Sequence, residues 1–262
     1  MDISLLRQRM HDFIDKGSYS TALFWANKCL CLSKGQIRDY YWLLHIHAMN
    51  GHHRRAIQII QNKNLTEAHL IFVYFMAKCY AERKEWLEAL RIIEKMNEGG
   101  NCEPSDEDIT GVPTTKVRSC LYLLCGKIYE AVNNISMAKA CYKQALEFDL
   151  YCSEAMDLLI NQHMLSVDEE VQLLDSLSNC QQYSDAERQF ILQMYRRKTA
   201  KQESVESKLS NGAEIFSHDT DSLLDLAKRH CLRTDYDASY KITSTILEED
   251  PYHEECIPFH VI

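Results

Sequence analysis

In GKIYEAVNNISMAKACYKQAL, residues 126–146, two mixed apolar and polar runs flank the polar pair Asn133–Asn134. The stretch reads as a helix, a turn and a second helix. Its small residues Gly126, Ala138, Ala140 and Ala145 stand among tyrosines. Alanines open other apolar runs in the same way: Ala22 in YSTALFW, Ala56 in HRRAIQII and Ala89 in WLEALRII. From Ala22 to Ala56 is 34 residues, from Ala56 to Ala89 is 33, and from Ala89 to Ala138 is 49.

A period of about 34 residues belongs to the tetratricopeptide repeat (TPR), an antiparallel helix pair patterned W-x2-L-G-x2-Y, then A-x3-F, then P. With Ala138 as the pattern alanine, Tyr122, Gly126, Tyr129, Tyr142 and Ala145 fall on pattern positions together. Small residues belong where the paired helices approach most closely, because larger ones would push the axes beyond about 8–10 Å. The same register puts Tyr40, Leu43, Leu44, His47 and Ile60 in the Ala56 unit, and Val73, Met76, Ala77, Tyr80 and Ile93 in the Ala89 unit. Leu6, Met10 and Phe13 join the Ala22 unit, which is degenerate, as terminal repeats often are. Pro251 anchors a last unit holding Leu223, Leu226, Ala227 and His230, with Ser239 in the alanine slot. The expected fold is therefore an all-α TPR solenoid of roughly six to seven antiparallel helix pairs.

On this reading residues 1–96 hold N-terminal TPR-like repeats, and 97–115 an acidic and polar insertion. Residues 116–198 hold a TPR repeat (119–152) and irregular helical repeats, opened by SEAMDLLINQHML and continued by DAERQFILQMYRRK. Residues 199–218 are expected to be a flexible polar insertion. A TPR-like repeat and the start of the next fill 219–262.

Composition narrows the function classes. Eight glycines and four prolines in 262 residues disfavour turn-rich β architectures. A formal net charge of -9 argues against a nucleic-acid partner. The longest apolar run, LIFVYFMA (70–77), is far short of the roughly 20 residues that span a bilayer. No signal peptide is evident at the N-terminus. Eleven cysteines without a C-x-x-C read as free thiols in a reducing compartment, so the expected location is nucleus and cytoplasm.

Phosphate-binding, nucleophile-elbow and zinc-protease motifs are missing, and an enzyme, a cofactor or a metal site is not expected. His47, His163 and His230 are assigned one repeat position, as packing histidines too far apart to share a metal. His52–His53 lies in a turn. His253 and Cys256 make at most a two-ligand pair on a helix, and Cys29 and Cys31 face different sides of theirs.

Longer strings add a resemblance. YSTALFWANKCLCLS (19–33), DYYWLLHIHAMNGHHRRA (39–56), residues 120–165 from CLYLLCGKIYEAVNN to INQHML, and LAKRHCLRTDYDASYKITSTILEEDPYHEECIPFH (226–260) resemble the sixth-subunit family of the anaphase-promoting complex, or cyclosome, in its N-terminal part. The resemblance implies a non-catalytic scaffold in a multisubunit ubiquitin ligase of mitosis, forming a homodimer through N-terminal repeats and contacting other subunits of the complex. It also implies a C-terminal superhelix holding a small accessory subunit. Here the chain ends at Ile262, inside what is expected to be a helix starting at Glu254, so that groove is expected to be missing. A fragment, a truncated isoform and an incomplete gene model are all open.

Residues 3–32 carry more apolar side chains than one neighbouring repeat covers, and Phe24 and Trp25 point about 100° apart on a helix. Leu5, Leu6, Phe13, Phe24 and Trp25, with Tyr40 and Tyr41, are the candidate dimer interface. The rival reading is a generic TPR adaptor that captures a peptide tail in its concave groove. The helix faces expected to line that groove carry Tyr40, Leu44, Met76 and Tyr122 and no obvious basic set.

Overall fold

The computed structural model describes residues 2–99, 114–180, 182–199 and 219–261. Among them are fourteen α-helices, a short 3-10 turn at Leu65–Glu67 and no strand. The chain forms two compact units, Met1–Ser166 and Val167–Ile262.

The first unit contains α1 (Ile3–Asp15), α2 (Tyr19–Leu32), α3 (Ile37–Met49), α4 (His53–Asn62), α5 (Leu70–Glu82), α6 (Trp86–Gly99), α7 (Thr114–Ala131), α8 (Ile135–Phe148) and α9 (Ser153–Asn161). Each packs on its successor, and α3, α5 and α7 also touch in sequence, which is the packing of stacked helix pairs. The core is continuous across repeats: Leu44 and Ile60 join Phe72, Ala77, Ala89 and Ile93, then Leu121, Ile128 and Cys141. A second cluster, around Met10, Ala22, Ala26, Leu43 and Ile46, ties the first pair to the second. Beside it a two-point ion pair crosses from α1 to α3: Arg7 donates to both carboxylate oxygens of Asp39, at 2.8 and 2.7 Å.

In the second unit α10 (Val167–Ser178) packs on α11 (Asp185–Thr199), and α12 (Thr220–Leu232) on α13 (Tyr236–Glu249), against which α14 (Ile257–Val261) lies. Leu224, Ile246 and Cys256 are its buried centre there.

One turn recurs within the pairs. Gly17, Gly51, Lys84, Asn133 and Thr234 all take positive φ, between 59° and 72°. In each case the next amide bonds back to the carbonyl five residues earlier: Ser18 to Phe13, His52 to His47, Glu85 to Tyr80, Asn134 to Tyr129 and Asp235 to His230. This is the Schellman closure of a helix end, which satisfies carbonyls the helix leaves open. Every one of these positive-φ residues lies five before Ala22, Ala56, Ala89, Ala138 or Ser239.

The same closure corrects one assignment. His163 has φ 51°, and Met164 bonds back to Leu159, so Leu159 holds the place taken by His47 and His230 in their pairs. Leu159 is fully buried, whereas His163 is exposed in the turn. The last helix also begins later than expected: Glu254–Cys256 form a turn, and α14 starts at Ile257. Asn97–Gly99 extend α6, Thr114 and Thr115 open α7, and Thr199 closes α11. The rest of the two expected insertions, 100–113 and 200–218, lies outside the described residues.

Candidate interaction surface

The close approach within α7 and α8 is severe. A Cβ on Gly126 would lie 2.2 Å from Tyr142 Cε1. Tyr142 is fully buried, and its hydroxyl donates to Glu130 Oε2 at 2.8 Å. Ala22, Ala56, Ala89, Ala138 and Ala145 are all fully buried. Tyr122 stacks on Phe148 with ring centres 5.3 Å apart, and Tyr129 is half-buried against the same core. Pro251 is exposed in the turn after α13. These residues shape the array and leave its surface to others.

The first helix pair presents apolar side chains to solvent. Leu5 is 50% exposed and Phe24 54%; Leu32 at the end of α2 and Ile37 at the start of α3 are exposed as well. Phe24 meets Trp25 edge to face at 5.2 Å, while Trp25 and Phe13 pack on the Met10–Ala22 cluster. Leu6 has to be corrected as an outward-facing residue. It is 4% exposed, on the same inward stripe as Met10 four residues on, whereas Leu5 is turned about 100° away. Tyr40 and Tyr41 are half-buried against the central core.

An aromatic row crosses α1, α3 and α5. His11 meets Trp42 at 4.2 Å, Tyr41 meets Phe75 at 5.4 Å, and His45 lies 6.2 Å from both Tyr41 and Phe75. Burial pushes the Tyr41 hydroxyl up, Tyr74 up to about 12, and the His11 and His45 imidazoles down. These groups are therefore neutral near pH 7. The row suits a partner's side chains better than an ionic substrate.

Among the described thiols Cys141 is lowered by the bond it accepts from Cys125, but it is buried away from solvent. Burial raises the thiols of Cys29, Cys120 and Cys256, and that of Cys79 to about 11. Cys125 is held protonated by its contact with Cys141. His253 sits in a turn and Cys256 is buried, donating to the Thr243 carbonyl at 3.7 Å, so they do not form the helical pair expected of them. Cys29 is buried and Cys31 exposed. Among the described residues no three His, Cys, Asp or Glu side chains cluster as metal ligands, and no helix is long and apolar enough to cross a membrane.

Comparison with known proteins relates the chain to a family. The family model described as anaphase-promoting complex, cyclosome, subunit 3 matches residues 15–96. The whole chain aligns with the cell division cycle protein 16 homolog of Mus musculus, 32% identical over 275 residues and covering 44% of that protein. It also aligns, over 99% of its length, with anaphase-promoting complex subunit 6 of Arabidopsis thaliana, 30% identical and covering 51% of it. The chain resembles the anaphase-promoting complex subunit 6 family over its whole length. Its fold agrees with that of a solved relative in this family, the crystal structure of the APC/C hetero-tetramer Cut9–Hcn1. There the TM-score is 0.80 at 29% identity, over 99% of this chain and 49% of that one. The chain spans about half the length of the subunit 6 relatives it matches.

The sequence signal missed at this surface was the phase of α1. Leu6 and Met10 form an i, i+4 pair facing α2, and Leu5 lies off that stripe.

Proposed function

We propose that this chain is a non-catalytic scaffold of the anaphase-promoting complex, a multisubunit ubiquitin ligase of mitosis, working in the nucleus and cytoplasm. It acts by self-association through its first helix pair and by holding other subunits of the complex. The carrying observation is its likeness to Cut9 in sequence and fold together, over nearly the whole chain. Support also comes from Leu5, Phe24 and Leu32, which put apolar surface on the first helix pair, where a second copy can cover it. Phe13, Trp25, Tyr40 and Tyr41 lie at the half-buried margin of that surface.

Affinity purification of the tagged chain from dividing cells tests the assembly. The expected result is co-purification of other subunits of the complex together with ubiquitin-ligase activity. Recovery of the chain with neither contradicts the reading.

A further inference from the structure

Where the turn Gly51–His52 enters α4, a solvent-open cavity of about 390 Å³ is lined by Gly51, His52, His53, Arg54, Arg55 and Arg83. Arg83 comes from the end of α5, so the cavity joins the turns of two adjacent helix pairs. Among the described residues no carboxylate lines it, in a chain whose net charge is -9. Glu85 takes one guanidinium nitrogen of Arg83 at 2.6 Å, and Arg54 and Arg55 are exposed without an acidic partner among the described residues.

The backbone adds to this charge. Intrahelical bonding in α4 begins with Ala56, which donates to the His52 carbonyl at 3.1 Å, so the amides of residues 53–55 precede it. The first turn of α4 carries no acid, and the His52 side chain makes no capping bond. Behind the turn, off the cavity lining, lies a buried histidine. His47 is 1% exposed, its Nδ1 has no hydrogen-bond partner, and its ring centre is 5.8 Å from that of His52. His53 Nδ1, on the cavity lining, is likewise buried and unbonded.

We propose that this cavity is an oxyanion site that takes a phosphoryl group carried on a protein segment. Three guanidinium groups and free helix-end amides exceed what one carboxylate can engage. A phosphoryl group offers three acceptor oxygens and about -1.5 to -2 charge, and arginine pairs with it bidentately. The helix N-terminus contributes partial positive charge at the same point. The ligand's two sources, free phosphate and a phosphorylated segment, share this chemistry.

The test is amide NMR of the full chain at constant ionic strength. Inorganic phosphate is titrated first, then the peptide Gly-Gly-phosphoserine-Gly-Gly, then its unphosphorylated copy. Expected are saturating shifts at residues 53–55 with phosphate and with phosphopeptide, the peptide saturating at lower concentration, and none with the unphosphorylated copy. The double variant Arg54→Gln, Arg55→Gln should weaken both by about tenfold or more. Arg83→Gln, on the other turn, should weaken them too. Shifts that chloride reproduces, or variants that saturate like the parent, overturn the site. A phosphopeptide binding no tighter than inorganic phosphate overturns the assignment to a protein segment.

Discussion

At Gly126 there is no room for even a methyl group. Its Cβ would meet three atoms of the Tyr142 ring within 2.8 Å, and that ring is anchored through its hydroxyl to Glu130. Gly126→Ala must therefore push α7 off α8 or break the tyrosine's bond. It should cost about 1–3 kcal/mol, as should Ala138→Leu on the facing helix. Urea unfolding checks both, and an unchanged midpoint would contradict the packing described. Asp39 behaves differently. Burial raises its carboxyl, but the two bonds from Arg7 and the charges of Arg7 and Arg38 outweigh burial, so it is held below the usual range. Such a group stabilises the fold above its unfolded value of about 3.9, and the contribution is lost as pH falls through the lower folded value. Asp39→Asn should cost about 2–4 kcal/mol at neutral pH, toward the lower part of the buried-pair range because Arg7 is 18% exposed. The gap between variant and parent should narrow below pH 4, and a gap constant from pH 7 to 3 contradicts the ion pair's role.

At the scale of the helix pair, the recurring closure makes the repeat visible in the backbone. Two of its five positions are glycine, which adopts positive φ freely, but Thr234 is β-branched and sits at φ 62°. Thr234→Gly should stabilise the α12–α13 pair by about 0.5–1 kcal/mol, the left-handed penalty exceeding the entropy that glycine loses. Hydrogen exchange in α12 and α13 reads this directly; faster exchange in the variant would contradict it. Fold class was legible because Ala22, Ala56 and Ala89 keep nearly constant spacing. The turn that follows α9 was not. Counting one 34-residue period from Tyr129 reaches His163, but the pair shortens there, and its closures at Asn133 and His163 are 30 residues apart. Alanine spacing carries no information on such a deletion, because Asp168 stands where a small residue would mark it.

At the scale of the molecule, the account depends on what covers the first helix pair. Apolar content alone did not separate Leu5 from Leu6; only the phase of α1 against α2 does, and it turns Leu6 inward. A substitution at Leu6 therefore tests folding, whereas Leu5 and Phe24 test association. Sedimentation of the full chain at micromolar concentration is the most direct measurement. The expected mass is twice the 30.5 kDa of one chain, falling to a single folded chain in Leu5→Glu, Phe24→Glu, because burying opposed carboxylates is costly. A parent that sediments as one chain, or a folded double variant that stays paired, would contradict the account.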